Sequence, residues 1–134
     1  MRLLLDASVW LAAVDRDDAF HEAARELVRS ERIDHVALDL TVYEVGNVAT
    51  CRWGDAERAR RLCLLVMTAC GERLVRIDAD LAEEAVRIAE REQITVYDAA
   101  YVAAARRESD ALVSGDFADL VNRGLALAPD AAET

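Results

Sequence analysis

The chain has 134 residues, 54% of them hydrophobic, and a formal net charge of -10. That length suits one domain with a single sizeable core, while the negative charge argues against broad electrostatic attraction to nucleic acid. No apolar run reaches the roughly 18 residues that span a bilayer, and the opening MRLLLDASVW is broken by Asp6 too early for a signal peptide. The expectation is a cytoplasmic protein with no membrane association.

In chain order, RLLL at 2–5 reads as a strand, followed by helical periodicity over 7–14 and 20–31. HVAL at 35–38 reads as a second strand, with helices predicted over 41–52 and 55–70. LVRI at 74–77 is a third strand, followed by a helix carrying Leu81, Ala85, Ile88 and Ala89 and another over 97–107. ALVS at 111–114 is a fourth strand, 117–122 a short helix, and LAL at 125–127 a candidate fifth strand. Apolar strands alternating with helices predict an α/β domain: a central parallel sheet of four to five strands with helices on both faces. The single domain spans 1–128, and the polar tail PDAAET at 129–134 is expected to be disordered.

Several residue types carry little chemistry. Cys51, Cys63 and Cys70 show no C-x-x-C spacing and sit among apolar neighbours, so they read as buried small hydrophobes. His21 and His35 are far apart and read as surface or strand-end residues. All sixteen basic residues are arginine, so any phosphate contact is a bidentate fork. No G-x-G-x-x-G is present, which excludes a dinucleotide-binding enzyme. The absence of any lysine argues against a phosphotransfer receiver.

In open α/β sheets, ligands bind outside the carboxyl ends of the strands. Asp6 follows the first strand there, and Asp116 follows the fourth through Ser114 and Gly115. Glu44 and Asp98 lie at the starts of unusually apolar helices, TVYEVGNVA and DAAYVAAA. Each has a structural explanation taken singly: Asp6 as a helix cap, Thr41…Glu44 and Thr95…Asp98 as capping boxes, Asp116 as a turn residue. Capping does not explain why Asp98 enters the interior on a helix apolar nearly all round, or why Asn47 shares a helix face with Glu44. Converging carboxylates repel one another, so either some protonate or a divalent cation lies between them. Oxygen-only ligation points to Mg²⁺ or Mn²⁺ rather than zinc, and such an ion makes the centre of an acidic protein attractive to phosphate.

Taken in order, D-x-S at Asp6 and Ser8, E-x-x-N at Glu44 and Asn47, YDA at Asp98 and S-x-D at Ser114 and Asp116 resemble the PIN-domain proteins, and among them the VapC-type toxins of toxin–antitoxin pairs. The resemblance covers about residues 1–128. It implies a Mg²⁺- or Mn²⁺-dependent endoribonuclease in which Asp6, Glu44, Asp98 and Asp116 are catalytic and hold the metal. Ser8, Asn47 and Ser114 match supporting positions, with Ser114 standing where the family usually has threonine, and Asp119 competes with or joins Asp116. The resemblance further implies an RNA substrate, a cognate antitoxin and a homodimer, with the helices at 20–31 and 55–70 as partner surfaces. Arg58, Arg60, Arg61, Arg106 and Arg107 are candidate RNA-backbone contacts. The alternative is a catalytically weak PIN-like binding or scaffold module.

Overall fold

Leucines 3, 4 and 5 set the architecture. A computed structural model describes residues 1–108 and 110–132, and in it strand β1 (Arg2–Leu5) runs in the middle of a four-stranded sheet. It pairs in parallel with β2 (Asp34–Leu38) on one side and with β4 (Ala111–Val113) on the other. Beyond β2 lies the two-residue strand β3 (Leu74–Val75), also parallel, so the order is β3-β2-β1-β4.

Alternate residues of a strand face opposite sides of the sheet. Leu3 and Leu5 therefore enter one apolar layer with Trp10, Leu27, Val45, Leu62 and Val66, while Leu4 enters a second with Val36, Leu38, Leu81, Ile88, Val102 and Leu112. Each fully buried leucine contributes roughly 1.5–3 kcal/mol. The first layer is covered by α1 (Ala7–Ala12), α2 (His21–Arg29), α3 (Asp39–Cys51) and α4 (Ala56–Cys70). The second is covered by α5 (Ala79–Glu92) and α6 (Val96–Glu108). Helices on both faces of a parallel sheet follow the predicted plan.

Several local expectations change. Helix α3 begins at Asp39, two residues early, because the Asp39 carboxylate accepts from Leu40 N at 2.7 Å and Ile77 N at 3.2 Å and so supports that end. Thr41 therefore lies inside the helix, and the predicted capping box with Glu44 does not form. Residues 125–127 make only an isolated parallel bridge, Val113 to Leu127, rather than a strand. The segment read as a helix over 117–122 is a π-helical turn, Phe117–Val121, in which Asn122 N bonds Phe117 O at 2.8 Å.

Of the cysteines, Cys70 alone is buried; Cys63 is half-buried and Cys51 exposed. His35 lies at the start of β2, which matches the strand-end reading, and is buried, its Nε2 2.8 Å from Leu27 O. At the end of the chain, Ala131 N bonds Ala128 O at 3.0 Å and Ala132 packs against the first layer, while residues 133 and 134 of the expected tail lie outside the described residues. No helix is long and apolar enough to cross a membrane among the described residues.

Candidate acidic metal centre

The carboxyl ends of β1 and β4 lie side by side, and the chain places an aspartate beyond each. Asp6 caps α1, accepting from Val9 N at 3.4 Å, so the helix-cap reading of this residue holds. Yet Asp6 is only 5% exposed, and burial pushes its carboxyl up to about 6 against the hydrogen bonds of Ser114, Ser8 and Val9. Ser8 donates to Asp6 Oδ1 in a short bond, and its Oγ accepts from Gly115 N at 2.8 Å. The Ser8 hydroxyl thus ties the end of β1 to the loop after β4. A Cβ at Gly115 would meet Ser8 Oγ at 3.3 Å, so a glycine permits this approach.

Ser114 is fully buried, and its Oγ accepts from Asp116 N at 2.9 Å. Asp116 in turn caps the π-helical turn, accepting from Asp119 N at 3.0 Å. That turn brings Asp119 round to the same place. One carboxylate oxygen from each of Asp98, Asp116 and Asp119 lies within 4.8 Å of the others. Asp116 and Asp119 are therefore joint members of the cluster rather than competitors.

Asp98 sits in the first turn of α6, where Thr95 Oγ1 accepts from Asp98 N at 3.1 Å. This is half of the predicted capping box; the return bond from Thr95 N–H to the Asp98 carboxylate is absent among the described hydrogen bonds. The carboxylate faces the other acids instead. Burial raises it to about 6, with Asp116, Asp119 and Glu44 adding to the rise by their charge. Asp98 also acts on Asp6 by its charge. Glu44, half-buried on α3, is raised by burial, and its Oε1 accepts a hydrogen bond from the Tyr101 hydroxyl at 2.6 Å, which works in the opposite direction.

Two ionised carboxylates 4.8 Å apart repel by roughly 3.5 kcal/mol at an effective dielectric near 20. Neutral hydroxyls and an amide donate to Asp6, while Arg123 Nη2 lies 3.7 Å from Asp119 Oδ1 in the cluster. An all-oxygen, anionic donor set of this kind fits a hard divalent cation. The residues present are thus suited to hold Mg²⁺ or Mn²⁺.

The family model of the PIN domain matches residues 3–119. The chain belongs to the PIN domain family. Among solved structures, this PIN domain is similar to a toxin–antitoxin complex from Klebsiella pneumoniae (17% identity, covering 95% of this chain and 97% of that one, TM-score 0.70). It is similar also to Mycobacterium tuberculosis VapC20, described as a sarcin–ricin loop cleaving toxin (23% identity, 91% and 95% covered, TM-score 0.70). A protein of Pyrobaculum aerophilum shares 25% identity over 97% of this chain and 85% of that one, again at a TM-score of 0.70. No curated protein sequence matches significantly.

Not every predicted residue reaches the PIN-domain acids. Asn47 is exposed, and its Oδ1 accepts from Cys51 Sγ at 3.3 Å; no hydrogen bond joins it to the carboxylates among the described residues. Arg58 stacks over Trp53 at 4.3 Å and donates to Val14 O, which makes it structural. Arg60 and Arg107 pair with Glu57 at 3.5 Å and Asp78 at 2.8 Å. Conversely, the sequence offered Thr41 only as a helix cap and did not mark Tyr101, yet both are buried and hydrogen-bonded to each other at 2.7 Å beside Glu44. Their spacing held the signal: Thr41 lies one helical turn before Glu44, and Tyr101 one turn after Asp98.

Proposed function

We propose that this protein is a Mg²⁺- or Mn²⁺-dependent endoribonuclease acting as the toxin of a toxin–antitoxin pair. The observation that carries the reading is the convergence of Asp98, Asp116 and Asp119 within 4.8 Å beside the buried Asp6, in a chain of the PIN domain family. The similarity to structures described as toxins supports the biological setting.

Asp6, Asp98 and Asp116 would hold the metal, with Glu44 and Asp119 completing the anionic lining. The bound ion would supply a lowered pKa for an attacking water and charge neutralisation at the scissile phosphate. The chain's own residues supply the rest. Buried on the sheet edge and fixed by Ser8 and Val9 N–H, Asp6 cannot swing away. Asp98, whose charged form is disfavoured by burial and by Asp116, Asp119 and Glu44, gains most from a cation placed among those acids. With a net charge of -10, the protein gains little from long-range attraction to RNA, so a cation among the acids would supply local attraction for a phosphate.

A homodimer and an antitoxin complete the proposal. Tyr43, Met67, Ile77 and Tyr97 are large apolar or aromatic side chains exposed along adjoining grooves of α3, α4, α5 and α6, a surface suited to a second copy. A cognate antitoxin would silence the site by placing a basic side chain against its carboxylates. An RNA target places the reaction in the cytoplasm.

The test is cleavage of a structured RNA by native protein and by Asp98→Asn, with EDTA, Mg²⁺ or Mn²⁺. Metal-dependent cleavage by the native chain alone supports the reading. Mn²⁺ binding without cleavage of any RNA would favour a binding or scaffold module instead.

A further inference from the structure

Beside the acids lies a buried hydrogen-bonded chain that the proposed reaction does not use. Tyr101, on α6, is 2% exposed, and Thr41, on α3, is fully buried. The Tyr101 hydroxyl donates to Glu44 Oε1 at 2.6 Å, and Thr41 Oγ1 lies 2.7 Å from the same phenol oxygen. A phenol has one proton, and an ionised carboxylate can only accept. Tyr101 therefore gives its proton to Glu44, and Thr41 must donate to Tyr101. The chain runs in one direction, Thr41 to Tyr101 to Glu44.

A buried tyrosine needs one partner for its hydroxyl, and Thr41 alone would satisfy it. The bond to Glu44 is additional. Glutamate has three side-chain torsions, and Glu44 is only half-buried, so packing alone does not select its rotamer. The tyrosine ring, by contrast, is 2% exposed and belongs to the second apolar layer. Asp98 stands one turn earlier on the same helix. Thus α6 carries one acid directly and grips a second, on α3, through a rigid ring.

We infer that Tyr101 is a positioning residue for Glu44: braced by Thr41, it holds Oε1 and so fixes the orientation in which the Glu44 carboxylate adds its charge to that of Asp98. This rests on the reading of the acids as a metal site. Hydrogen bonds of this kind to ligating groups typically change metal affinity 10- to 100-fold when removed, and Phe preserves the ring.

The experiment titrates Mn²⁺ into metal-free full-length protein and follows free Mn²⁺ by its EPR signal, without RNA. Tyr101→Phe should bind Mn²⁺ about 10-fold more weakly than the native chain, and should add nothing in a Glu44→Ala background. Thr41→Val should weaken binding in the same direction and Thr41→Ser should restore it. Native-like affinity in Tyr101→Phe, or an equal loss with and without Glu44, overturns the inference and leaves Tyr101 as core. Should Tyr101→Phe fail to fold by circular dichroism, the Thr41 pair decides: equal affinity in Val and Ser variants overturns it. Native-like affinity in Glu44→Ala would remove Glu44 from the metal site itself, and the inference with it.

Discussion

Asp6 and Asp78 occupy the same local position and live in opposite electrostatic conditions. Each follows a strand, each is the N-cap of the next helix, and each accepts from the amide three residues on, Val9 at 3.4 Å and Leu81 at 2.8 Å. Asp78 is exposed and pairs with Arg107 at 2.8 Å; the Leu81 amide and that guanidinium hold its carboxyl below the usual range. Asp6 is buried with neutral donors only, and its carboxyl rises to about 6. The motif is the same, so capping geometry alone does not set the electrostatic state of an aspartate. The supply of a counter-charge does: Asp78 has its cation built in, and Asp6 does not.

The largest effect expected from this contrast is on catalysis. Asp6→Asn should lower metal-dependent RNA cleavage by at least about 100-fold, whereas Asp78→Asn should leave the rate within about twofold. Single-turnover cleavage measured on both variants checks this, and equal loss in the two would erase the distinction.

The second effect is on stability without metal, and the signs oppose. A folded-state carboxyl raised to about 6, against an unfolded value near 4, stabilises the fold fully below pH 4 and loses that contribution as pH rises through 6. For Asp6 this amounts to about 2–3 kcal/mol. In EDTA, the stability of Asp6→Asn relative to the native chain should therefore grow between pH 4 and pH 7, as read by urea unfolding; a flat difference would contradict the burial argument. Asp78, lowered instead, stabilises above the unfolded pKa and loses its contribution as pH falls through its folded value. The relative stability of Asp78→Asn should improve only on the acid side of pH 4.

Metal should close the gap from the other direction. Mn²⁺ at a hundred times its dissociation constant should stabilise the native chain by about 2.7 kcal/mol and do much less for Asp98→Asn, measured as the shift in thermal midpoint. The smallest effect is the ordinary one: Asp78→Ala should lower the thermal midpoint slightly as a lost cap, with no change in Mn²⁺ affinity.

Much of the fold was legible because its signals are local. Leu3, Leu4 and Leu5 announce a strand buried on both faces, and Leu81, Ala85 and Ile88 mark one buried helix face. Less legible were features decided by distant partners. Helix α3 starts early because Asp39 reaches Ile77 N, 38 residues away, and the Thr41 hydroxyl turns to Tyr101 rather than to its own helix end. Residues 125–127 have strand composition but form only an isolated bridge, Leu127 with Val113. At the candidate site, strand ends and helix starts pointed to Asp6, Glu44, Asp98 and Asp116. Asp119, read as competing with or joining Asp116, is brought beside Asp98 by a π-helical turn, while Asn47 lies on the exposed side of α3, an outcome set by how that helix packs.

The pairing of the first strand with the last has a consequence in time. Leu3 lies beside Ala111, and Ser8 beside Gly115. A growing chain carries Asp6 and Glu44 long before it carries Asp116 and Asp119. The ends must meet before the acids do, and contacts of such sequence separation close slowly. The cluster of Asp98, Asp116 and Asp119 is therefore among the last features of the fold to be completed.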